Sequence, residues 1–561
     1  MAFVLRAWGA GFGLPYELTA DEPHQILQAL KIGAGEGGPL VRAWHTVGKG
    51  GLDYLLFIEY GVLYCVWRLT GRIDSPDDFA LAYLTDPSAF YLIGRLTVAT
   101  LGALTCLAVY GAGRRMYGER IGLIAAIIGA FALEHAIDSH PISVHVPMAF
   151  ALWCAFWSYT LWEQRPTTRR LIGTAVLAGV AISLAYNAAV GMLVLLLALA
   201  TAPGGGASLR VRAGRIATFV AAAVAATAML SSELVLGAGS LLRNFQHVLG
   251  GTVPAAPGPR AAIDAVTILR EQNWFDYVPI LLGPRHLAIT LAAGAGIVIG
   301  LALRERWTAL LTGGTAVLLL LLSASDRGAG ERYLLPMVPA LWLLAARGVT
   351  GICGGRGWAQ ALLTLAIVVP PAIKIVRADI AFTRTDTRIL AKQWIEANVA
   401  PGARILVDGM RFRFIQSPPL KPTAEALDRQ VAALAASELN YPERFLALYR
   451  RARQAVPGPA YDIHSTMYGL EVRELDFYAP ACFDYVIVSS DIADRYADEA
   501  LRRQVPQAAR FYDGIRSHPG FRRVYSIRSE PLVRPGPAIT VYEVLPACDG
   551  RRRSLPTARS G

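Results

Sequence analysis

Residues 91–120, YLIGRLTVATLGALTCLAVYGAGRRMYGER, decide how the rest of the chain is read. An apolar run long enough to cross a bilayer closes on Arg114 and Arg115, with Arg120 just beyond. A hydrocarbon core of about 30 Å needs roughly 20 helical residues, and short loops rich in arginine mark the cytoplasmic side of a membrane. Working outward from this span (90–112), apolar segments recur at 119–137, 142–162, 170–187, 188–201, 213–237, 285–303, 307–323, 333–349 and 357–376. The stretch 188–201 is short, so 170–201 reads as a broken helix pair with Tyr186-Asn187 at its turn. Nothing beyond 376 is long and apolar enough to span.

The loops agree with one another. Arg114, Arg115 and Arg120; Arg165, Arg169 and Arg170; Arg210, Arg212 and Arg215; Arg304 and Arg306; and Arg347 and Arg356 fall in alternate loops whose acids are only Glu119, Glu163 and Glu305. These loops are assigned to the cytoplasm. The loops around 138–141, 238–284 and 324–332 then face outside, as do everything before 90 and the region after 376. Segment 15–89 carries ten acids against five bases, which suits an outside position. The composition, 54% hydrophobic and 17% charged with mean hydropathy +0.39, excludes an ordinary soluble domain. The net charge of +12 is arginine in loops, not a phosphate-tracking stripe, so no nucleic-acid partner is expected.

Residues 52–69 (LDYLLFIEYGVLYCVWRL) hold Asp53, Glu59 and Arg68, and counting them as a crossing would invert every later loop. They read as a juxtamembrane helix at the outer interface, with Tyr and Trp at headgroup depth. Residues 1–14 (MAFVLRAWGAGFGL) would rise only about 21 Å as a helix and contain Arg6. The topology needs a crossing there, so a truncated first helix is expected, with the true start upstream of Met1 and no cleavable signal. The fold class is thus a polytopic α-helical membrane protein of about 11 transmembrane helices, the first truncated, with a C-terminal extracytoplasmic α/β domain. The expected division is a membrane domain at 1–376, with its first external loop at 15–89, a soluble domain at 377–548 and a disordered tail at 549–561. In the soluble part, ARILVDG (403–409), FDYVIVSS (483–490) and GPAITVYEV (536–544) read as strands. Asp408, Asp484 and Asp491 read as strand-end or turn residues. The cysteines show no metal spacing; Cys65, Cys106, Cys154 and Cys353 read as small buried hydrophobes, and Cys482 and Cys548 as either a disulfide or two thiols.

Chemistry concentrates at TADEPHQ, residues 19–25, where Asp21-Glu22 opens the amphipathic run HQILQALKI. An acidic pair there either complements a helix N-terminus or supplies a general base. Four stretches in order, TADEPHQILQALKI, KGGLDYLLFIEYGVLYCVWRLTG, YLIGRLTVATLGALTCLAVYGAGRRMYG and ERYLLPMVPALWLL, resemble glycosyltransferase family 39 over about residues 8–350. That family holds the protein O-mannosyltransferases and the aminoarabinose–lipid A transferase, with the GT-C fold.

The resemblance implies a sugar moved, with inversion, from a polyprenyl-phosphate donor to a hydroxyl on a lipid, glycan or protein acceptor. The reaction would take place at the outer face of the cytoplasmic membrane. It makes Asp21 the catalytic carboxylate, with Glu22 beside it positioning the acceptor or the juxtamembrane helix. The leaving phosphate needs cations, and Lys49, Arg332 and Arg270, with Tyr333, are the candidates; Arg332 also reads as a snorkelling anchor. Two departures stand out. In DSHPISVHVPMAF (138–150) His145 occupies the place of a second family Asp, so Asp138, His140 and His145 are candidates for a second acid–base or acceptor contact, or a metal site. In SLAYNAA (183–189) Ala185 stands where relatives often have Lys. No cofactor is required by this chemistry, although a divalent metal is compatible with it. WFDYVPILLGP (274–284) reads as an aromatic belt or a substrate cover. The competing readings are a flippase or transporter of lipid-linked sugars and a catalytically lapsed scaffold of the same family.

Overall fold

The computed structural model describes residues 1–19, 21–33, 50–202, 208–231, 277–323, 331–408, 416–436, 442–466, 482–497 and 499–545. Lys49, Arg270, Cys548, the first three residues of the aromatic loop segment and the tail 549–561 lie outside them.

The apolar segments are helices, and the breaks fall where the sequence changes character. Ser88–Met116 begins after Asp86-Pro87 and ends past Arg114-Arg115. At 29 residues it rises about 43 Å, more than a bilayer core. Glu119–Ala130, His145–Gln164, Thr168–Leu184, Ala189–Ala200, Leu209–Leu230, Leu287–Ala302, Arg306–Ser323, Val338–Cys353 and Gly357–Phe382 follow. Ser88–Met116, Leu209–Leu230, Arg306–Ser323 and the stretch starting at Gly357 are long and apolar enough to cross a membrane by length and composition. The expected span 119–137 is two pieces, because the helix stops at Ala130 and a separate short helix, Leu133–Ile137, begins after Phe131 and Ala132. The predicted break at Tyr186-Asn187 is a 3-10 turn, Tyr186–Ala188.

Close helix packing rests on residues without side chains. A Cβ on Gly296 would lie 1.9 Å from the Leu344 carbonyl oxygen, and one on Gly348 would lie 2.0 Å from that of Ala292. Leu287–Ala302 and Val338–Cys353 therefore touch backbone to backbone, as small residues permit where no water drives association. At the arginine-rich end, ion pairs tie the helices together: Arg306 to Glu163 at 2.5 Å and Arg347 to Glu305 at 2.9 Å.

At the opposite end the described residues before 90 form a cap. Residues 1–14 are not a spanning helix; only Val4–Ala7 is helical. Arg6 is fully buried and donates to the carbonyls of Gly129 and Ala130, closing the C-terminal end of the helix Glu119–Ala130. The juxtamembrane helix is Gly50–Leu69. Its Tyr60 and Trp67 do not sit at a surface: they are buried in an aromatic cluster with Phe79, Tyr83 and Phe90. The outward stripe is instead Ile58, Val62, Val66 and Leu69, all exposed and spaced by three or four residues.

Gly357–Phe382 runs six residues past the expected boundary and leads into the soluble part. There the strands β1 (Arg404–Asp408), β2 (Lys421–Pro422), β3 (Ala460–Thr466), β4 (Tyr485–Ser489), β5 (Phe521–Ile527) and β6 (Ile539–Val544) make one sheet in the order β2-β3-β1-β4-β6-β5. β2, β3, β1 and β4 run parallel, and β6 and β5 close the sheet antiparallel. Asp408 is a strand end, as expected, and is buried where its carboxylate accepts from Tyr512 at 2.8 Å. Cys482 is disulfide-bonded. Arg388, from the helix Thr387–Asn398, donates to the Leu18 carbonyl and so joins the soluble part to the segment just before Asp21.

Candidate functional site

Asp21 directly precedes the helix Glu22–Gly33. Successive residues on a helix diverge by about 100°, and the two acids accordingly have opposite surroundings. Asp21 lies at the rim of the bundle, its side chain 53% exposed, where Oδ2 accepts from Arg332 Nη1 at 2.9 Å. Glu22 is turned fully inside. Its carboxylate takes both Nε and Nη2 of Arg95 at 2.7 Å, the Ile142 amide at 2.9 Å and the Thr19 hydroxyl. Arg95 is equally buried, donates to the carbonyls of Ala10 and Phe12, and lies over the Phe12 ring. This arrangement fits an anchor that fixes the start of the Asp21 helix, and it leaves Glu22 no open face toward an acceptor. Arg95 is missing from the sequence reading, although one signal pointed to it: an arginine inside an apolar span needs a partner.

Arg332 sits in the 3-10 turn Glu331–Leu334. Its guanidinium lies 5.3 Å from the Tyr333 ring centre, and Nη2 is 3.5 Å from the Tyr333 hydroxyl. The turn is held from below by two donors: Asn187 Nδ2 to the Tyr333 carbonyl and Trp153 Nε1 to the Pro336 carbonyl, each at 3.2 Å. Thus the broken helix at Tyr186-Asn187 has a use, since its 3-10 turn presents Asn187 to the R-Y-x-x-P element. His145 packs edge-on to Tyr333 at 5.5 Å between ring centres. Asp138 follows the short helix Leu133–Ile137, within the field of Arg332. Burial pushes its carboxyl up to about 6, with Glu331 adding to the rise and Arg332 opposing it.

Asp21, Arg332, Tyr333, Asp138 and His145 are therefore brought together, from parts of the chain 311 residues apart in the case of Asp21 and Arg332. His140 is not with them. Its Nδ1 is 2.9 Å from the Ala136 carbonyl, and its Nε2 is 3.1 Å from the Trp8 carbonyl and 3.2 Å from Asp379. Both ring nitrogens are engaged, Nδ1 locally and Nε2 in docking the N-terminal segment and Asp379, so His140 does not converge with Asp138 and His145 on a metal. Among the described residues, the side chains that could hold one are Glu134, His286 and Glu331, none of which the sequence singles out. Arg285 Nη1 lies 3.3 Å from Glu134 and 3.2 Å from Glu331.

What this rim can do chemically is limited and specific. A half-exposed carboxylate can take a proton, and a guanidinium with only one nitrogen committed to it can receive an anionic oxygen alongside.

Residues 81–203, about a fifth of the chain, match the family described as dolichyl-phosphate-mannose-protein mannosyltransferase. No curated protein matches the chain. Among solved structures, it is similar to ArnT from Cupriavidus metallidurans bound to undecaprenyl phosphate, at 13% identity and TM-score 0.46 over 96% of each chain. It is also similar to the oligosaccharyltransferase of Archaeoglobus fulgidus, at 12% identity and TM-score 0.45 over 91% of this chain and 72% of that one. At such identities and TM-scores these likenesses assign no chemistry; the matched segment 81–203 supports the resemblance to the mannosyltransferase family and contains Arg95, Asp138, His145 and Asn187.

Proposed function

We propose that this protein is a membrane glycosyltransferase that moves a sugar from a polyprenyl-phosphate donor to a hydroxyl acceptor, with Asp21 as general base. The observation that carries the reading is the Asp21–Arg332 pair at the rim of an apolar helical bundle, 2.9 Å apart and with both side chains about half exposed. In the proposed reaction an Asp21 oxygen takes the acceptor proton as the acceptor oxygen bonds to the anomeric carbon. The bond from that carbon to the phosphate oxygen breaks, and its electron pair leaves on the phosphate. Arg332 keeps contact with Asp21 through Nη1 and uses the rest of its fork for the leaving phosphate, while Tyr333 and His145 wall the sugar position. Asp138, within the field of Arg332, adds a second negative charge on that side of the guanidinium when it is ionised. The family match over residues 81–203 and the apolar helices support a lipid-linked donor. The Cys482 disulfide and the arginine-rich opposite end favour an extracytoplasmic placement of the site and of the soluble domain, in the inner membrane. The outward stripe Ile58, Val62, Val66 and Leu69 favours a juxtamembrane helix dipping into lipid.

The test is transfer of radiolabelled sugar from cell-derived polyprenyl-phosphate donors into membrane acceptors, with Asp21→Asn compared against the parent. Loss of transfer in a variant that melts normally is the expected result. Equal transfer in both proteins would remove Asp21 from the chemistry.

A further inference from the structure

Glu134, His286 and Glu331 come from three separate elements: the short helix Leu133–Ile137, the residue before Leu287–Ala302, and the turn Glu331–Leu334. One ligand atom from each lies within 4.8 Å of the others. We propose that they form a binding site for a divalent transition metal of the zinc class, which pins the turn carrying Arg332.

The donor set selects the metal. One imidazole and two carboxylates suit zinc and its neighbours, whereas calcium and magnesium take oxygen ligands. Zinc bonds of about 2.0–2.2 Å in a tetrahedron set ligand atoms roughly 3.4 Å apart. Metal binding therefore requires the three side chains to draw together from their present spacing, within 4.8 Å. A fourth position remains for water or a substrate oxygen.

Two further observations point to a ligand. His286 Nε2 is shut off from solvent and has no hydrogen-bond partner among the described residues. An imidazole nitrogen so placed against two carboxylates gains a partner only when something enters between them. The same three residues also line a cleft with His135, Thr290 and a set of apolar side chains, among them Leu281, Ile289 and Trp342. The positive charge that meets both carboxylates is Arg285, through the single atom Nη1, on a side chain 56% exposed. A guanidinium reaching in from the surface is a poor substitute for a point cation and is free to swing away. Coordination of Glu331 would fix the turn one residue before Arg332. That consequence rests on the phosphate role of Arg332 proposed above; metal binding itself does not.

The experiment uses full-length, untagged protein in detergent, stripped with chelator and titrated with Zn2+ alone. Bound metal is counted by mass spectrometry after desalting and affinity is measured by calorimetry. The expected result is one zinc per chain, at least tenfold weaker binding in His286→Ala and in Glu331→Gln, and tighter binding in Arg285→Ala, where the competing cation is gone. Co2+ should give a visible absorption band that His286→Ala abolishes. The proposal is overturned if the parent retains no zinc, if His286→Ala retains as much, or if Mg2+ binds equally well. If the carboxylate and histidine variants do not fold, Arg285→Ala decides alone, and unchanged or weaker binding there overturns it. No arm reads transfer activity, so failure here and failure of the glycosyltransferase reading remain distinguishable.

Discussion

Glu22→Ala would strand the Arg95 guanidinium in a side-chain environment only 1% exposed. Nε and Nη2 would both lose their partner, while Nη1 would keep the carbonyls of Ala10 and Phe12. Removing one member of a buried ion pair costs about 3–5 kcal/mol. The Ile142 amide, 2.9 Å from Glu22, would lose its acceptor as well, adding about 1 kcal/mol. The neighbouring change, Asp21→Asn, touches a pair whose side chains are 47% and 53% exposed; such pairs contribute about 0–1 kcal/mol. Two adjacent carboxylates should therefore separate cleanly, one controlling stability and the other activity. Unfolding in mixed micelles of graded sodium dodecyl sulfate measures the first, and sugar transfer measures the second. The double variant Glu22→Leu/Arg95→Met supplies the control, because replacing a buried pair by apolar side chains of similar volume is often neutral. It should recover most of the stability lost in Glu22→Ala. A cost below about 1 kcal/mol for Glu22→Ala, or a double variant no more stable than the single one, would refute the electrostatic reasoning.

Substitutions at three other positions probe the same frame. Asp138, raised from 3.8 to about 6 by burial, binds more protons native than unfolded between those values, so stability falls as pH rises through that window. At about 1.4 kcal/mol per unit, Asp138→Asn should stabilise the protein by about 3 kcal/mol at pH 7.5 and by little at pH 4. Melting curves at the two pH values check this, and equal shifts at both would contradict it. Arg332→Ala should raise the donor KM by roughly tenfold or more, since a charge-assisted hydrogen bond contributes about 1.5–3 kcal/mol; Arg332→Lys should recover part of it, because only one nitrogen meets Asp21. Gly348→Leu sets a Cβ 2.0 Å from the Ala292 oxygen and should cost more than about 3 kcal/mol, seen as loss of folded protein on size-exclusion chromatography.

The parts legible in the sequence are those set by local composition. The apolar runs became helices with their arginines at one end, 119–137 alone splitting in two, and β1, β4 and β6 lie where β-branched runs stand in the sequence. β3 and β5 were not legible, because Asp462 and His464 in one and Arg522 and Arg523 in the other hide the alternation. These polar side chains are carried by pairing: Asp462 meets Arg429, and Arg522 meets Glu543. The same logic separates Asp21 from Glu22. Both are acids at a helix start, and nothing local tells them apart. Their difference comes from Arg95, 73 residues from Glu22, and from Arg332, 311 residues from Asp21. An apolar span can be recognised without knowing its neighbours; a carboxylate takes its role from whichever cation the fold delivers. Arg95 was the readable half of that information. A charge inside an apolar helix demands a buried counter-charge, and the acids of the first 90 residues were the supply. That demand assigns one member of the acidic pair to Arg95 and leaves the other for the rim.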